Sequence, residues 1–308
     1  MARIVISEFM DEHAVARLAA AHDVRYEPTL VDDASRLAAA AADADALIVR
    51  NRTQVRGALL AALKRCKVVG RLGVGLDNID VDGCAARGIA VIPATGANAL
   101  AVAEYVIAAA LLLMRGAYLS SADVVAGRWP REALGKGREI HGKTLGLVGF
   151  GSIGQLTARL AHGVGMNVIA FDAMLGAGDA VYAAAEVEAV SLDDLLARAD
   201  VISLHVPLVE STKHLFDAAR IVAMKVGAVL INTSRGGIVD DAALVAALKS
   251  GHLGGAALDV FEVEPPVSAN PFDGCPNLLL TPHIAGLSAE ANERVSGLIA
   301  ERVLEALR

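Results

Sequence analysis

Three side chains in the second half of the chain have the types that a redox reaction of a small acid needs. Arg235 offers a planar fork of N–H donors, which suits a carboxylate and the carbonyl oxygen beside it. His283 can exchange a proton with a hydroxyl group near neutral pH, and Glu264 could hold the imidazole and favour its protonated form. Beside a nicotinamide, this set predicts oxidation of a 2-hydroxy acid or reduction of a 2-keto acid.

Each of these residues also has an ordinary structural interpretation. An arginine after a strand can be a surface cation, a single histidine can be structural, and Glu264, which precedes a Pro-Pro pair, could be a loop acid. His205 is interpreted as a core or cofactor-adjacent residue. No His or Cys pair has zinc-like spacing with supporting ligands, so no metal is expected. The remaining histidines are assigned to surface or structural positions: His13, His22, His141, His162, His214 and His252.

Residues 149–154 read Gly-Phe-Gly-Ser-Ile-Gly, a pattern that can bind a dinucleotide. Glycine-rich turns are common, but here a predicted strand at 144–148 precedes the pattern and a predicted helix at 155–162 follows it. The glycines would provide a tight turn, access of the pyrophosphate to the backbone, and close packing of helix on strand. The helix N-terminus then offers unpaired N–H groups to the phosphates. A purely structural turn is the alternative.

Asp172 follows the next predicted strand, residues 167–171, and comes roughly 20 positions after Gly149, as expected of the ribose-binding acid. An acid there accepts a hydrogen bond from the ribose 2′-hydroxyl and repels a 2′-phosphate. Ala173 and Met174 bring no compensating cation, so the sequence favours NAD over NADP. The alternative is an ordinary acid at a strand end.

Short apolar runs alternate with helical patterns along the chain, which predicts parallel sheets covered by helices. A length of 308 residues exceeds what one hydrophobic core usually fills. We therefore expect an α/β protein with two doubly wound parallel-sheet domains, Rossmann- or flavodoxin-like, and a cleft between them. The predicted strands are residues 3–7, 24–26, 46–49, 68–71, 90–92, 144–148, 167–171, 201–204, 228–231, 256–258 and 278–280.

Polar and glycine residues follow the carboxyl ends of these strands, where open α/β sheets bind their ligands. Two sheets with such edges predict that the cofactor lies on one wall of the cleft and the substrate enters from the other. The first sheet contributes Arg50, Asn51, Arg52, Thr53, Gly73, Val74 and Gly75. The second contributes Asp172, His205, Val206, Pro207, Thr233, Ser234, Arg235, Gly236, Gly237, Asp259, Pro282 and His283.

The composition argues against several other classes of protein. A formal charge of −7 argues against a nucleic-acid partner, because a phosphate-binding face needs clustered Lys and Arg. Cys66, Cys84 and Cys275 are too scattered for a disulfide framework and suit a reducing cytoplasm. The most apolar stretch, residues 97–114, contains Glu104 and is too short for a membrane span. With no visible targeting segment, we expect a cytoplasmic protein that binds no membrane.

Together these motifs resemble the D-2-isomer-specific 2-hydroxyacid dehydrogenases, and within that family the D-3-phosphoglycerate dehydrogenase branch. The resemblance covers nearly the whole chain. Its most specific segments are residues 149–154, 232–240 (Asn-Thr-Ser-Arg-Gly-Gly-Ile-Val-Asp), 257–265 (Ala-Leu-Asp-Val-Phe-Glu-Val-Glu-Pro) and 281–286 (Thr-Pro-His-Ile-Ala-Gly).

The resemblance implies that Arg235, Glu264 and His283 are catalytic and that NAD is the cofactor. It implies a discontinuous substrate-binding domain, residues 1–98 plus 284–308, and an NAD-binding Rossmann domain at 99–283. Its members are usually dimers joined through the region corresponding to residues 99–143. The NAD site is expected to include Gly149, Gly151, Ser152, Ile153, Gly154, Asp172, His205, Val206, Pro207, Thr233, Ser234, Arg235, Asp259, His283 and Gly286. The substrate site is expected to include Arg50, Asn51, Arg52, Gly73, Val74, Asn98, Arg235 and His283.

Trp129, the only tryptophan, lies in a polar stretch of the expected dimerisation segment. Burial against a partner subunit would explain a large aromatic residue at this position, and packing on its own domain is the alternative. The expected assembly is therefore a homodimer.

The tail of the substrate is predicted from Arg50 and Arg52. In a strand-like start to their loop, residues two apart point to the same side, so both guanidinium groups could face the cleft. Two further cations suit a phosphate or sulfonate on C3, which makes 3-phosphoglycerate or 3-sulfolactate the expected substrate. Asn51 stands where the phosphoglycerate branch often has serine, which favours sulfolactate slightly. For Arg52, solvent or an acidic partner is the alternative.

Two other functions stay open at this point. One is a hydroxypyruvate or glyoxylate reductase, and the other is a non-catalytic, NAD-binding corepressor-like protein, because such relatives can keep the Arg, Glu and His. The chain ends at Arg308 without the C-terminal regulatory domains of the longer phosphoglycerate enzymes, so serine feedback is not expected.

Overall fold

The strands form where the sequence predicts them. The computed structural model describes residues 1–266 and 271–308. Within these ranges all the predicted strands occur, their ends shifted by at most three residues, and one unpredicted short strand joins them at Glu188–Ala189. The strands are β1 (Arg3–Ile6), β2 (Asp23–Tyr26), β3 (Ala46–Val49), β4 (Val68–Arg71), β5 (Ala90–Pro93), β6 (Thr144–Val148), β7 (Asn167–Phe171), β8 (Glu188–Ala189), β9 (Val201–Leu204), β10 (Ala228–Asn232), β11 (Leu253–Leu258) and β12 (Leu278–Leu280).

Helices connect the strands, and several begin at an acid or serine whose side chain accepts from the first free N–H groups, as Asp11, Asp240 and Ser288 do. Leu30–Asp32 and Ala117–Ser120 are short 3₁₀ helices. In the described ranges, no helix has the length and apolar character to cross a membrane. The α-helices are α1 (Glu12–Ala19), α2 (Ala34–Ala41), α3 (Gly57–Ala62), α4 (Val81–Ala86), α5 (Ala99–Arg115), α6 (Ser121–Val125), α7 (Arg131–Leu134), α8 (Ser152–Gly163), α9 (Ala180–Ala184), α10 (Leu192–Arg198), α11 (Ala218–Ala223), α12 (Asp241–Ser250) and α13 (Ala289–Ala306).

The chain divides into two compact units. Unit 1 comprises Met1–Asn98 and Leu287–Arg308, and unit 2 comprises Ala99–Gly286. The second boundary therefore lies three residues after the position expected from the sequence. Unit 1 is discontinuous because the C-terminal helix α13 packs against α1 and β4.

Unit 1 contains a parallel sheet in the order β2-β1-β3-β4-β5. Alternating side chains of β1 enter different cores, as the pleat of a strand requires. Val5 packs with residues of α2, α3 and α4, whereas Ile4 and Ile6 pack with residues of α1 and α13. The strand order reverses at β1, so the carboxyl ends of β1 and β3 form the crevice in which such sheets bind ligands.

Unit 2 contains a parallel sheet in the order β12-β11-β10-β9-β6-β7-β8. The order reverses between β6 and β9, which places the ligand crevice of this sheet at their carboxyl ends. Helix α5 is buried along most of its length and packs against α8, β10 and β11. The predicted fold class, α/β with two parallel-sheet domains, is confirmed.

Candidate active site

The glycine loop lies at the reversal point of the second sheet, between β6 and α8. Gly149 has a φ of 98°, and a Cβ on it would lie 2.6 Å from the carbonyl oxygen of His205, the residue that follows β9. A Cβ on Gly154 would lie 2.5 Å from the carbonyl oxygen of Gly149. Both positions therefore require glycine, one for its backbone angle and both for close backbone packing.

Gly151 has a different environment from the other two glycines. A Cβ on it would meet no atom of the described residues within 4 Å, so the backbone borders open space among them. Gly151 is also the N-cap of α8. It has no side chain that could accept hydrogen bonds from the first N–H groups of the helix, which include those of Ser152 and Ile153. A helix N-terminus of this kind attracts a phosphate through its N–H groups and its dipole.

Asp172 fixes the end of β7 beside the glycine loop. Its Oδ2 accepts a hydrogen bond from the Phe150 N–H at 2.7 Å, and its Oδ1 accepts from the Met174 N–H at 2.8 Å. Each carboxylate oxygen has two lone pairs, so each keeps capacity to accept from a ribose hydroxyl. Asp172 is thus oriented by two backbone N–H groups, one of which belongs to the glycine loop that a dinucleotide would contact.

Two buried polar atoms follow β9 and β10 without a hydrogen-bond partner in the described part of the chain: His205 Nε2 and Thr233 Oγ1. Burial lowers the pKa of His205 to about 4, so its ring is neutral at pH 7. Buried polar atoms nearly always have partners in finished structures. These two therefore fit the need of a polar ligand such as NAD, and they accompany the open cradle at Gly151. Val206 lies beside Gly149, and the Pro207 carbonyl accepts from Thr212 Oγ1.

Arg235 lies in a tight turn after β10. Asn232 accepts hydrogen bonds from the N–H and the hydroxyl of Ser234, and its amide donates to the Arg235 carbonyl at 2.8 Å. Arg235 Nη1 donates to the Ser234 carbonyl at 2.6 Å. The next residue, Gly236, packs directly on Phe261, since a Cβ there would lie 2.0 Å from the Phe261 carbonyl carbon. The turn of Arg235 therefore contacts the loop that carries Glu264.

Glu264 and His283 form the predicted pair. His283 Nδ1 and Glu264 Oε2 are 2.7 Å apart, while Glu264 Oε1 accepts from the Phe261 N–H at 3.0 Å. The two side chains are 38% and 33% exposed, which leaves the imidazole accessible for proton exchange. His283 has a φ of 55°, an uncommon angle for a residue with a side chain. Such strain is maintained where the surrounding structure holds it, as often happens at functional sites.

Asp259 directly follows β11 and holds the loop of His283. It is 1% exposed, and its carboxylate accepts from Thr281 Oγ1, the Ile284 N–H and the Ala285 N–H at 2.6, 2.8 and 2.7 Å. Thr281 in turn lies 2.6 Å from the Tyr105 hydroxyl. The NAD contact expected of Asp259 is thus accompanied by a structural role that the sequence did not reveal. Gly286 is the last residue of unit 2.

In unit 1, a buried acid missed by the sequence analysis organises the loop after β3. Glu8 accepts hydrogen bonds from the N–H groups of Arg50, Arg52 and Thr53 at 2.8, 3.1 and 3.0 Å. Asn78 donates to the carbonyls of Arg50 and Thr53. Because Glu8 follows β1 and Arg50 follows β3, this network lies at the reversal point of the first sheet. The position of Glu8 directly after the predicted strand at residues 3–7 was the available signal.

The two arginines of this loop point to different elements. Arg50 Nη2 donates to Asn292 on α13 at 2.7 Å, and its guanidinium lies 5.7 Å from the centre of the Phe9 ring. Arg52 Nη2 donates to Asp32 at 2.5 Å. Helix α13 and the turn of Asp32 pack on opposite faces of the sheet. The expected same-side arrangement is therefore wrong, because residues 50–53 bend around Glu8 instead of continuing as a strand.

The other substrate candidates lie along the same sheet edge or after it. Gly73 has a φ of 152°, and the Arg71 guanidinium occupies the space where its Cβ would be. Val74 and Asn51 are exposed, whereas Asn98 Oδ1 is buried without a partner in the described ranges. Arg71, the last residue of β4, is a further cation at this edge that the sequence analysis omitted. Within residues 1–266 and 271–308, no cluster of three or more His, Cys, Asp or Glu could hold a metal.

Comparisons with known proteins agree with this geometry. Residues 107–285 match the family model described as the NAD-binding domain of D-isomer specific 2-hydroxyacid dehydrogenases. The chain is 53% identical over 307 residues to the (S)-sulfolactate dehydrogenase of Chromohalobacter salexigens, covering 100% of this chain and 99% of that protein. It is 40% identical to the D-3-phosphoglycerate dehydrogenase of Mycobacterium leprae over 99% of this chain but only 56% of that protein.

Among solved structures, the TT0316 protein from Thermus thermophilus superimposes with a TM-score of 0.89 and 33% identity, over 99% of this chain and 96% of that one. The predicted resemblance, the NAD cofactor and the oxidoreductase class are confirmed by these matches. The chain belongs to the D-isomer specific 2-hydroxyacid dehydrogenase family and carries its NAD-binding domain.

Proposed function

We propose that this protein transfers a hydride between NAD and a D-2-hydroxy acid that carries an anionic group on C3, with (S)-sulfolactate as the first candidate. The 2.7 Å contact between His283 and Glu264 carries the chemical part of the proposal, because it provides an oriented acid–base group. The whole-chain similarity to a sulfolactate dehydrogenase supports the choice of substrate.

His283 is the proposed acid–base group. With Nδ1 protonated and directed at Glu264, Nε2 is left to accept the hydroxyl proton of a 2-hydroxy acid. The carboxylate of Glu264 then stabilises the imidazolium that forms. In keto-acid reduction the same Nε2 returns the proton to the carbonyl oxygen. Arg235 binds the substrate carboxylate and the neighbouring oxygen with its fork of donors. The chemistry that NAD supplies when bound is the transfer of the hydride.

Unit 2 is the proposed NAD-binding domain. The first turn of α8, from Ser152 and Ile153 to Gly154, would hold the pyrophosphate beside Gly149 and Gly151, and Asp172 would bind the ribose. Two features support this placement: the open space at Gly151, and Thr233 Oγ1, which has no hydrogen-bond partner among the described residues. The other proposed cofactor contacts are His205, Val206, Pro207, Ser234, Arg235, Asp259, His283 and Gly286.

Unit 1 is the proposed substrate-binding domain. Arg50 is proposed to bind the C3 anion. Its guanidinium donates to the amide oxygen of Asn292, and because this amide is neutral it does not offset the positive charge of Arg50. Burial lowers the pKa of Arg50, and the charge of Glu8 opposes that shift, so the guanidinium stays charged at neutral pH. Arg52 could contribute only by exchanging its ion pair with Asp32 for one with the ligand. Asn51, Gly73, Val74 and Asn98 complete the proposed set.

The decisive experiment is an NADH-oxidation screen of the purified protein with 3-sulfopyruvate, 3-phosphohydroxypyruvate, hydroxypyruvate and glyoxylate. The proposal expects the highest kcat/KM for sulfopyruvate. A preference for phosphohydroxypyruvate would support an anionic group on C3 but would identify it as a phosphate instead of a sulfonate. A preference for hydroxypyruvate or glyoxylate would reject the anionic tail, and no turnover with any keto acid would reject the enzyme itself.

We also propose a homodimer formed through the segment between α5 and β6. Trp129 and Val125 in this segment are 76% and 90% exposed, Val124 beside Val125 is also exposed, and so are Leu111 and Leu112 in the second half of α5. Apolar side chains exposed together mark protein–protein contacts. Sedimentation at micromolar concentration should give the mass of two chains, and a monomer would refute the proposal.

The proposed location is the cytoplasm. Cys66, Cys84 and Cys275 are all free thiols, which suits a reducing compartment. Fractionation of the source cells with an antibody to the protein would test this location.

A further inference from the structure

A second His–Glu pair lies next to the proposed catalytic pair. His214 Nε2 and Glu262 Oε1 are 2.9 Å apart, and Glu262 is only two residues from Glu264. From the sequence alone, His214 is expected at the surface or in a structural position. The loop after β11 thus carries two glutamates, each paired with a different histidine.

The backbone of the His214 segment is attached to the segment that follows Arg235. The His214 N–H donates to the Gly237 carbonyl at 2.7 Å. Two residues later, the Phe216 N–H donates to the Ile238 carbonyl and the Phe216 carbonyl accepts from the Asp240 N–H, both at 3.0 Å. These bonds form a short parallel bridge between the two segments. The position of His214 is therefore fixed relative to the turn of Arg235.

The side chain of His214 contacts a third segment, the loop after β11, through Glu262. Glu262, its partner, lies directly after Phe261, whose N–H donates to Glu264 Oε1. The backbone of Gly236 packs on the same peptide, with a Cβ there 2.4 Å from the Glu262 nitrogen. His214 consequently joins the turn of Arg235, through its backbone, to the loop of Glu264, through its side chain.

We propose that the His214–Glu262 pair is a positioning pair that holds Glu264 against His283 and in register with Arg235. Neither His214 nor Glu262 is needed to touch substrate or NAD in this role. The inference rests on the proposed function, because it assigns Glu264 and His283 to the acid–base step.

Another acid, Asp241, faces this pair from the start of α12, next to Asp240. Asp240 caps the helix through its bond to the Ala243 N–H, and Asp241 occupies the first turn. Burial raises the pKa of Asp241 to about 6, with the charges of Glu262 and Asp240 acting in the same direction and His214 opposing them. Glu262 and His214 thus both act on Asp241, which places this acid beside the pair.

The test compares two variants that remove the contact between His214 and Glu262 with one that retains a hydrogen-bond donor to Glu262. His214→Asn shortens the side chain while retaining a residue that tolerates the φ of 47° at this position. Glu262→Ala removes the acceptor. His214→Gln retains an amide donor of similar reach. His13→Ala is the matched control, since His13 is 95% exposed in unit 1.

In reduction of the preferred keto acid, His214→Asn and Glu262→Ala should each lower kcat/KM by about three- to tenfold. The double variant should be no worse than the more impaired single variant, because both substitutions remove one contact. The basic limb of the pH profile should move to lower pH, since a loosely held Glu264 stabilises the imidazolium less. His214→Gln should recover most of the loss and His13→Ala should have no effect. Additive losses with an unshifted pH profile would overturn the proposal.

A second measurement does not depend on turnover. The Nδ1 proton of His283, when hydrogen-bonded to Glu264, gives a downfield proton NMR signal that disappears in His283→Ala. His214→Asn and Glu262→Ala should move this signal upfield and broaden it. An unchanged signal in both variants would overturn the positioning role. If the wild-type protein reduces none of the keto acids but the signal responds, the proposed function fails while the pair keeps its role.

Discussion

The Asp259 carboxylate accepts a hydrogen bond from the Ala285 N–H at 2.7 Å, two residues beyond His283. This contact and its neighbours hold the histidine loop on the end of β11. Asp259→Asn replaces one acceptor by an amide NH₂ that cannot accept from a backbone N–H. We expect the free energy of unfolding to fall by about 1–3 kcal/mol, as for lost hydrogen bonds to a charged group. Urea denaturation measures this, and an unchanged midpoint would contradict the role.

His283→Ala removes the proposed acid–base group without touching the glycine loop. We expect kcat to fall by roughly 10²–10⁴, while NADH affinity, followed by fluorescence titration, stays near the wild-type value. His252→Ala is the matched control, because His252 bonds to the Ile221 carbonyl, on a helix of the same unit. Near-normal turnover in His283→Ala would remove His283 from the mechanism.

Much of the fold and the cofactor loop could be predicted from the sequence because their signals are local. The alternation of strand and helix requires only neighbouring residues, and it located nearly every strand. The glycines of residues 149–154 are required by backbone packing at Gly149 and Gly154, so their spacing is visible without the structure. The short strand β8 was missed because its pairing with β7 covers only two residues.

The contacts that position the site could not be predicted because they join distant segments. Glu8 meets the loop of Arg50 over 42 residues, and His214 meets Glu262 over 48. Asp32, likewise distant in sequence, decides where Arg52 points. A pattern within a short window contains no information on such pairs. The contact of Glu8, for example, follows from strand order, which places the ends of β1 and β3 side by side.

Cofactor choice is expected to depend on Asp172. Asp172→Ala removes the acceptor for the ribose hydroxyls and also frees the N–H groups of Phe150 and Met174. We expect weaker NAD binding and a narrower preference for NAD over NADP, measured as the ratio of kcat/KM for NADH and NADPH. Asp179→Ala, which alters an acid farther along the chain after β7, is the control. Wild-type protein that uses NADPH as well as NADH would show that the ribose assignment is wrong.

Stability near Asp241 is expected to depend on pH. Its pKa of about 6 exceeds the ordinary value of 3.8, so the folded protein holds this proton more tightly than the unfolded chain. The resulting stabilisation is complete below about pH 4 and is lost as pH rises through 6. Asp241→Asn should therefore raise Tm at pH 8 by about 2 °C and leave it nearly unchanged at pH 4. Asp193→Asn, in the first turn of α10, should give no such gain.

Arg50 is expected to discriminate between substrates by their tails. Its guanidinium contacts the neutral Asn292, whereas that of Arg52 already pairs with Asp32. Arg50→Ala should lower kcat/KM for sulfopyruvate and phosphohydroxypyruvate by about 10- to 100-fold, as the loss of a hydrogen bond to a charged group implies, and for hydroxypyruvate far less. Arg52→Ala should cost less, since an exposed ion pair contributes little. Equal losses for all three substrates in Arg50→Ala would mean that Arg50 supports the loop instead of binding the C3 anion.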